Sequence, residues 1–315
     1  MQIKNILGRN KVVVLKVNEA DVDGLLLNTD LQNDGTLAFV VDNFVSSLMN
    51  LLPEYAFAYH NSAVTTERER LIEAAKSVLK IKEIKKLKEY FDSNLGEDKW
   101  EQDVLDIYMK KGIFGELILH FLLREFKGTL PLISKVYFKD SFGHEAHGFD
   151  AVHVSENTEQ NILWLGECKF YTEPRGGLKE LIEDLKYFTT DYLNEQYIII
   201  DRALNASHHP DRDRWIAELK DKMGLGLLKD MFNLICVPLL CLYQSDIPSQ
   251  LLSLPESDFD VIYLEHITSL KKYFDDNNDF ANKNHVEIVL MLFPLDSKKK
   301  IIELILNRLY HMQSM

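Results

Sequence analysis

The middle of the chain alternates between stretches with helix-like spacing of apolar residues and stretches typical of β-strands. The glycine-bounded GIFGELILHFLLREFKG, which begins at Gly112, is apolar at nearly every position and predicts a buried helix. Three strand-like stretches follow: LISKVYFKD, GFDAVHV and NILWLGECKFY. After them come a helix predicted to begin at a glycine pair, GGLKELIEDLKYFTTDYL, and a last strand, EQYIIID. The order α-β-β-β-α-β predicts an α/β or α+β unit around a mixed sheet.

Apolar stretches continue on both sides of this unit. KVVVLKV is strand-like, and a stretch rich in Lys, Glu and Leu from Glu67 to Phe91 predicts a helix. LICVPLLCLY predicts a buried strand although it contains Pro238. The tail predicts a strand that ends near Pro294, a cap at Asp296 or Ser297, and an amphipathic helix.

These patterns divide the chain into three segments. We assign residues 1–110 to an N-terminal α/β extension, which is also a candidate partner-binding region. Residues 111–245 form the predicted core, and residues 246–315 form a strand–helix segment expected to pack on it. The sequence contains no low-complexity linker or internal repeat, so the length fits one large domain or two interleaved ones.

The net charge of the chain limits the classes of partner that it is expected to bind. The chain has 315 residues, with 36 Lys and Arg against 49 Asp and Glu, which gives a net charge of −13. Proteins that depend on phosphate contacts usually carry a basic surplus, because counterion release supplies most non-specific affinity for nucleic acid. Any such contact is therefore expected to be local or supplied by a partner. The basic stretch from Lys76 to Tyr90 is either a solvated helix face or a face that follows a phosphate backbone.

Cysteine usage and hydropathy favour a cytoplasmic protein. The three cysteines, Cys168, Cys236 and Cys241, show neither a disulfide framework nor a metal-type spacing, and the first residues do not resemble a signal peptide. The longest apolar stretch, MFNLICVPLLCLY, is too short to span a bilayer. We expect no membrane role.

Candidate chemistry gathers at the end of the third predicted strand. Because side chains alternate across a strand, Glu167 and Lys169 share one face with Leu165, and Cys168 falls on the other. If GFDAVHV and NILWLGECKFY pair as a hairpin, Asp150 comes to lie beside Glu167. Two adjacent carboxylates would repel each other unless a cation lies between them.

A hard divalent ion suits these oxygen ligands, and we expect Mg²⁺, with Mn²⁺ as the substitute. Such an ion lowers the pKa of a bound water, which then attacks a phosphodiester. Lys169 would orient the water or stabilise developing negative charge, and the backbone carbonyl of Cys168 is a further candidate ligand. The alternative is an exposed Glu–Lys pair on a solvated strand face, which is worth little energetically.

A polar stripe marks the helix after Gly112. Glu116, His120 and Arg124 are spaced four residues apart and therefore lie on one face. The stripe is either a narrow solvent-facing edge with local ion pairing or a means of aiming Glu116 into the cleft as an additional metal or water-holding carboxylate.

Together these residues resemble the PD-(D/E)xK nuclease superfamily, which has a restriction-endonuclease-like fold. The stretches GIFGELILHFLL, HGFDAVHV, WLGECKFY and LMLFPLDSKKKIIELI look more closely like the nuclease subunit of the Hachiman anti-phage defence system. Phe149 replaces the proline of the motif's name. The resemblance is good from Gly112 to Tyr171, moderate over the last thirty residues or so, and loose over the first hundred or so.

The resemblance implies a core with a central mixed sheet flanked by helices. It implies metal-binding and catalytic roles for Glu116, Asp150, Glu167 and Lys169, in a Mg²⁺-dependent deoxyribonuclease that acts as a defence effector. It also implies a superfamily 2 helicase as partner, in a heterodimer. The alternative function is a non-catalytic subunit with a nuclease-like fold that binds and regulates the helicase, which the net charge favours.

Near the glycine pair, a helix start could contact a DNA backbone. Arg175 and Lys179 are the side chains placed there, and we name them as candidate DNA contacts. A lone glycine pair is weak evidence for a phosphate site.

Overall fold

The computed structural model describes residues 1–57, 67–78, 108–132, 149–157, 160–188, 232, 234–280 and 286–314. The predicted strands at LISKVYFKD (after Leu132) and EQYIIID, the helix beyond Val78 and most of the basic stretch lie outside these ranges. The described strands are β1 Ile3–Leu7, β2 Val13–Asn18, β3 Val22–Leu27, β4 Thr29–Leu31, β5 Leu37–Phe39, β6 Leu130–Pro131, β7 Ala151–Asn157, β8 Gln160–Tyr171, β9 Leu234–Gln244 and β10 Val286–Leu295. The helices are α1 Val41–Phe57, α2 Glu67–Val78, α3 Ile113–Phe126, α4 Pro174–Lys186, α5 Ile247–Leu251, α6 Glu256–Asn277 and α7 Lys298–Ser314.

One mixed sheet of eight strands runs through the described chain in the order β1-β2-β3-β10-β9-β8-β7-β6. β8, β9, β10 and β3 are parallel neighbours, whereas β7 pairs with β8 in antiparallel fashion. The predicted mixed sheet flanked by helices is therefore confirmed. Because β2 and β3 continue the sheet beyond β10, all three sequence segments contribute strands to it; the boundaries at residues 110 and 245 stay predictions.

Helices cover both faces of the sheet. One hydrophobic cluster joins α1, α2, α3 and α7 to inward side chains such as Trp164, Cys168 and Leu240. A second cluster joins α4 and α6 to the alternate positions, including Leu163, Leu165 and Leu239. Each central strand is thus buried on both sides, which explains its nearly continuous apolar sequence. No helix among the described residues is long and apolar enough to cross a membrane.

Pro238 lies in the interior of β9, where the predicted buried strand is confirmed. Pairing between β8 and β9 is interrupted there: Trp164 pairs with Cys236 and Glu167 with Leu239. A Cβ on Gly166 would lie 2.9 Å from a Leu119 methyl carbon and 3.3 Å from the Pro238 ring. Glycine therefore makes room chiefly for Leu119 of α3 and also for the ring of Pro238, a residue that has no N–H to donate to the ladder. Glu167 is the first paired residue after this interruption.

The starts of two helices can be compared with those predicted from the sequence. At α7 the Lys300 N–H donates to Ser297 Oγ at 3.2 Å, which confirms Ser297 as the cap. The predicted start of α4 at Gly176 was wrong. α4 begins at Pro174, because proline fixes a helical φ and suits the first turn. It ends at Lys186, before the stretch YFTTDYL that the sequence pattern had included.

The second glycine of the pair is explained by packing. A Cβ at Gly177 would lie 2.8 Å from Cys241 Sγ on β9, too close for a real side chain, whereas one at Gly176 would meet only the Tyr171 ring, at 3.3 Å. Close contact between α4 and the sheet therefore requires glycine at position 177, independently of any phosphate.

Gly177→Ala is expected to lower the free energy of unfolding by about 1–3 kcal/mol, because overpacking displaces α4 from β9. Gly176→Ala is the matched control. It adds a better helix former next to an exposed tyrosine that is able to shift, and should stay within about 1 kcal/mol of the wild type. Urea unfolding of both variants measures the difference, and equal effects would contradict this packing account.

Candidate functional site

The site is built on the antiparallel pairing of β7 and β8, the hairpin on which the expected meeting of Asp150 and Glu167 depends. Ala151 pairs with Gly166 and His153 with Trp164. Asp150 immediately precedes β7, and its N–H donates to the Gly166 carbonyl at 2.9 Å. The hairpin therefore brings Asp150 to the Glu167–Cys168–Lys169 end of β8.

The two faces of β8 separate these residues as predicted. Trp164 and Cys168 pack on the side of α1 and α3, whereas Leu163 and Leu165 pack on the side of α4 and α6. By alternation, Glu167 lies on the α4 side, and Lys169 makes its contact there.

The Asp150 carboxylate is held against Cys168. Its Oδ2 accepts hydrogen bonds from the Cys168 N–H at 3.0 Å and from the thiol at 3.2 Å. The thiol is buried, and its sulfur would be 3.0 Å from a Cβ on Gly115 of α3. Cys168 therefore fixes the carboxylate with its backbone, and its side chain fills the space between β8 and α3.

Glu116 lies in α3 and is only 5% exposed. The Tyr55 hydroxyl of α1 donates to its Oε2 at 2.8 Å. Burial raises the pKa of Tyr55 well above its ordinary value, and the negative charges of Glu116 and then of Asp150 raise it further. Both carboxylates thus act electrostatically on the same buried phenol.

The polar stripe on α3 faces inward, so its interpretation as a solvent-facing edge was wrong. His120 is 2% exposed, and Glu54 of α1 contacts both His120 and Arg124. Glu54 Oε1 lies 3.3 Å from His120 Nε2 and 2.6 Å from Arg124 Nε. Burial would raise the pKa of Glu54, but His120 and Arg124 outweigh burial and lower it. The stripe therefore joins α3 to α1 through partly buried charged groups.

Two buried histidines extend this network to β7. His120 Nδ1 lies 3.0 Å from His153 Nε2, and His153 Nδ1 lies 2.8 Å from the Thr129 hydroxyl. One nitrogen of the first pair donates and the other accepts, so the bond requires at least one neutral ring. The helix that carries Glu116 is thus hydrogen-bonded to the strand that follows Asp150.

Acidification is expected to destabilise the chain through this network. Burial lowers the pKa of both histidines, and the neighbouring positive charge of Arg124 lowers it further, although Glu54 partly opposes this at His120. Below the unfolded value of about 6.5 the unfolded state therefore binds more protons than the folded state, and stability falls as pH falls.

Urea unfolding between pH 7.5 and 5.5 measures this loss. His153→Gln should be less stable at pH 7.5 and should lose less on acidification, because one buried group no longer titrates. His311→Gln is the control, since His311 is exposed on α7. A wild-type stability that does not change over this range would contradict the assignment.

Lys169 is paired with a residue that the sequence did not single out. Its Nζ lies 2.7 Å from Oδ2 of Asp184 on α4. Burial tends to lower the pKa of Lys169, but Asp184 outweighs it, with smaller contributions from Glu167 and Asp150, so the pKa is raised. The ammonium therefore stays protonated at neutral pH, and it interacts electrostatically with Glu167 and Asp150, both predicted metal ligands.

The two candidate DNA contacts lie near the start of α4. Arg175 and Lys179 are both exposed, and the Arg175 guanidinium lies 5.4 Å from the centre of the Tyr273 ring. Buried Lys298, at the start of α7, donates to the carbonyl of Phe170 in β8. This hydrogen bond joins α7 to the end of β8 that carries Glu167 and Lys169.

The predicted ligands fit a hard divalent cation in donor type. Glu116, Asp150 and Glu167 offer carboxylate oxygens and Cys168 a carbonyl, which are the donors that Mg²⁺ prefers. Glu116 and Asp150 bring negative charge to one buried neighbourhood, as their joint effect on Tyr55 indicates. Among the residues that the structure describes, no three His, Cys, Asp or Glu side chains form a group that could hold a metal ion.

Tyr55 and Asp184 are the site residues that sequence reasoning missed. For each of the two residues, the sequence contains a pattern that places it on or beside a helix face packed against the rest of the chain. Tyr55 follows Leu48 and Leu52 on the apolar face of α1, and Asp184 lies next to Leu185 in a helix that was already predicted to pack on the sheet. Neither signal identifies the partner, because both contacts join distant parts of the chain.

A comparison with known protein families finds a match. A family model described as HamA matches residues 8–309, which is nearly the whole chain. A search of the curated proteins finds no match.

Proposed function

The chain belongs to the HamA family, whose members are components of the Hachiman anti-phage defence system, and we propose that it is the metal-dependent DNA endonuclease of that system. In this proposal it hydrolyses phosphodiester bonds in the cytoplasm as the effector subunit, under the control of a helicase partner of superfamily 2 in a heterodimer.

The single observation that carries the proposal is the placement of Asp150. Its carboxylate is fixed on the Cys168 N–H, so it lies at the stretch whose neighbouring residues are Glu167 and Lys169. Lys169 is within electrostatic reach of both carboxylates. An exposed Glu–Lys pair on a solvated strand would need neither the adjacent Asp150 nor the interruption of the ladder before Glu167.

Each residue has a stated role. Asp150 and Glu167 would hold the divalent ion, with Glu116 and the Cys168 carbonyl as further oxygen donors. The bound ion would supply an activated water and neutralise charge on the phosphate. Lys169 stays protonated, so it would donate hydrogen bonds to the phosphate and stabilise the negative charge there, rather than accept a proton. Arg175 and Lys179 would contact the DNA backbone beside the site.

The net charge supports control by a partner. At −13 the chain repels free DNA over most of its surface, so a helicase that holds the DNA would deliver it to the site. Tight binding of DNA by the isolated chain at physiological salt would count against this part of the proposal.

A second candidate function is a non-catalytic subunit that binds and regulates the helicase. Two observations favour it: Lys169 is paired with Asp184, and no three His, Cys, Asp or Glu side chains among the described residues form a group that could hold a metal ion. Both observations also fit a nuclease that is idle before metal and DNA bind.

Cleavage of supercoiled and linear DNA by the purified chain separates the two candidates. The chain is incubated with Mg²⁺ or EDTA, alone and with the helicase, and Glu167→Ala is run beside it. We expect cutting that needs the metal and is absent in the variant. A folded chain that cuts in none of these conditions would leave the non-catalytic role.

A further inference from the structure

Asp184 occupies the edge of the α4 face that packs on the sheet. The buried positions of that face are Gly177, Leu178, Leu181, Ile182 and Leu185. Asp184 directly precedes Leu185 and is one turn beyond Leu181, and its carboxylate contacts Lys169 of β8. Its side chain is 30% exposed.

Lys169 meets this carboxylate from the strand. Its side chain is 25% exposed, and its Nζ lies 2.7 Å from Asp184 Oδ2. The adjacent acid on α4, Glu183, makes a pair of nearly the same length with Lys186, at 2.8 Å, but both partners are about half exposed. Of the two pairs, the one with Lys169 is the more shielded from solvent, and it joins two different elements.

We propose that Asp184 is a positioning residue for Lys169. The inference rests on the proposed nuclease function, since Lys169 acts there on the phosphate. A lysine has a long flexible stem and three donors on its ammonium. Asp184 accepts one of them and fixes the ammonium at the end of β8, which leaves two donors for the DNA phosphate. α4 thereby holds the ammonium of Lys169 in position before the substrate arrives, and the ammonium has to move less during the reaction.

A merely structural ion pair has different consequences. A partly exposed pair contributes little to stability, so its loss would leave the turnover number and the Michaelis constant unchanged. Loss of a positioning contact lowers kcat and leaves KM nearly unchanged, because DNA binding depends on other residues. Asp184→Glu keeps the acceptor on a stem one carbon longer and is the conservative rescue.

Two measurements on the full chain test the proposal. The helicase is added if cleavage requires it. The first is the acetylation rate of Lys169 by an amine-reactive ester, measured by mass spectrometry relative to exposed Lys179. The second is the kinetics of DNA cleavage. In Asp184→Asn we expect faster acetylation of Lys169 and a kcat lower by on the order of a hundredfold, with KM little changed. Asp184→Glu should restore part of both properties.

Glu183→Gln is the matched control, since it removes the adjacent charge from the exposed pair and should alter neither readout. If the wild-type chain cuts no DNA at all, the proposed function fails, and the acetylation of Lys169 still decides whether Asp184 holds it. The proposal is overturned if Asp184→Asn, folded by circular dichroism, leaves Lys169 as protected as in the wild type. Wild-type kcat in that variant also overturns it.

Discussion

Lys169→Ala is expected to reduce metal-dependent DNA cleavage about 10²- to 10³-fold, the usual effect of removing one preorganised donor to a developing negative charge. The negative charges of Glu167 and Asp150 contribute to the raised pKa of Lys169, so its removal takes a positive charge from beside the proposed metal ligands, where phosphate charge would develop. The fold should survive. The lost pair with Asp184 is partly exposed and is worth about 1 kcal/mol or less.

Lys186→Ala is the matched control for this variant. Lys186 also pairs with an acid of α4, but both partners are about half exposed and lie in the same helix. Time courses of plasmid nicking and thermal unfolding are measured for both variants. Lys169→Ala protein that cuts at the wild-type rate would remove Lys169 from the catalytic group.

Asp150→Asn is expected to abolish cleavage, with a loss of about 10³-fold or more, because the neutral amide no longer binds a divalent ion that contributes several kcal/mol to the reaction. The amide keeps the size of the side chain and one oxygen that accepts from the Cys168 N–H. Stability should therefore change little.

Asp150→Ala separates the two roles of this residue. It removes the oxygen, Oδ2, that accepts from both the Cys168 N–H and the thiol, and the loss should lower the free energy of unfolding by about 1–3 kcal/mol. Both variants should be inactive, and only the alanine variant should be clearly less stable. An asparagine variant with wild-type cleavage would show that the charge of Asp150 plays no part.

A local pattern predicted the faces of β8 because these depend on a period of two. The alternation of Leu165, Glu167 and Lys169 against Trp164 and Cys168 follows from strand geometry alone. The mixed sheet followed from the order of strands and helices. These features need no knowledge of what packs on the strand.

The contacts around the site depend on tertiary packing, and the sequence could not supply them. Tyr55 and Glu116 are 61 positions apart, and Glu54, which compensates the other two residues of the α3 stripe, also lies in α1. A helix face with Glu, His and Arg is most often solvated, so the pattern alone leaves burial open. The start of α4 was misplaced for a local reason, since Pro174 is a stronger start signal than the glycine pair.

The central claim is that Asp150 and Glu167 together hold a divalent ion, and Mn²⁺ binding tests it most directly. Titration calorimetry on the metal-free chain and on Glu167→Gln compares affinity without relying on turnover, and Glu183→Gln serves as the charge-matched control. The account predicts binding to the wild type and the control and its loss in Glu167→Gln. Equal binding to all three proteins would contradict it.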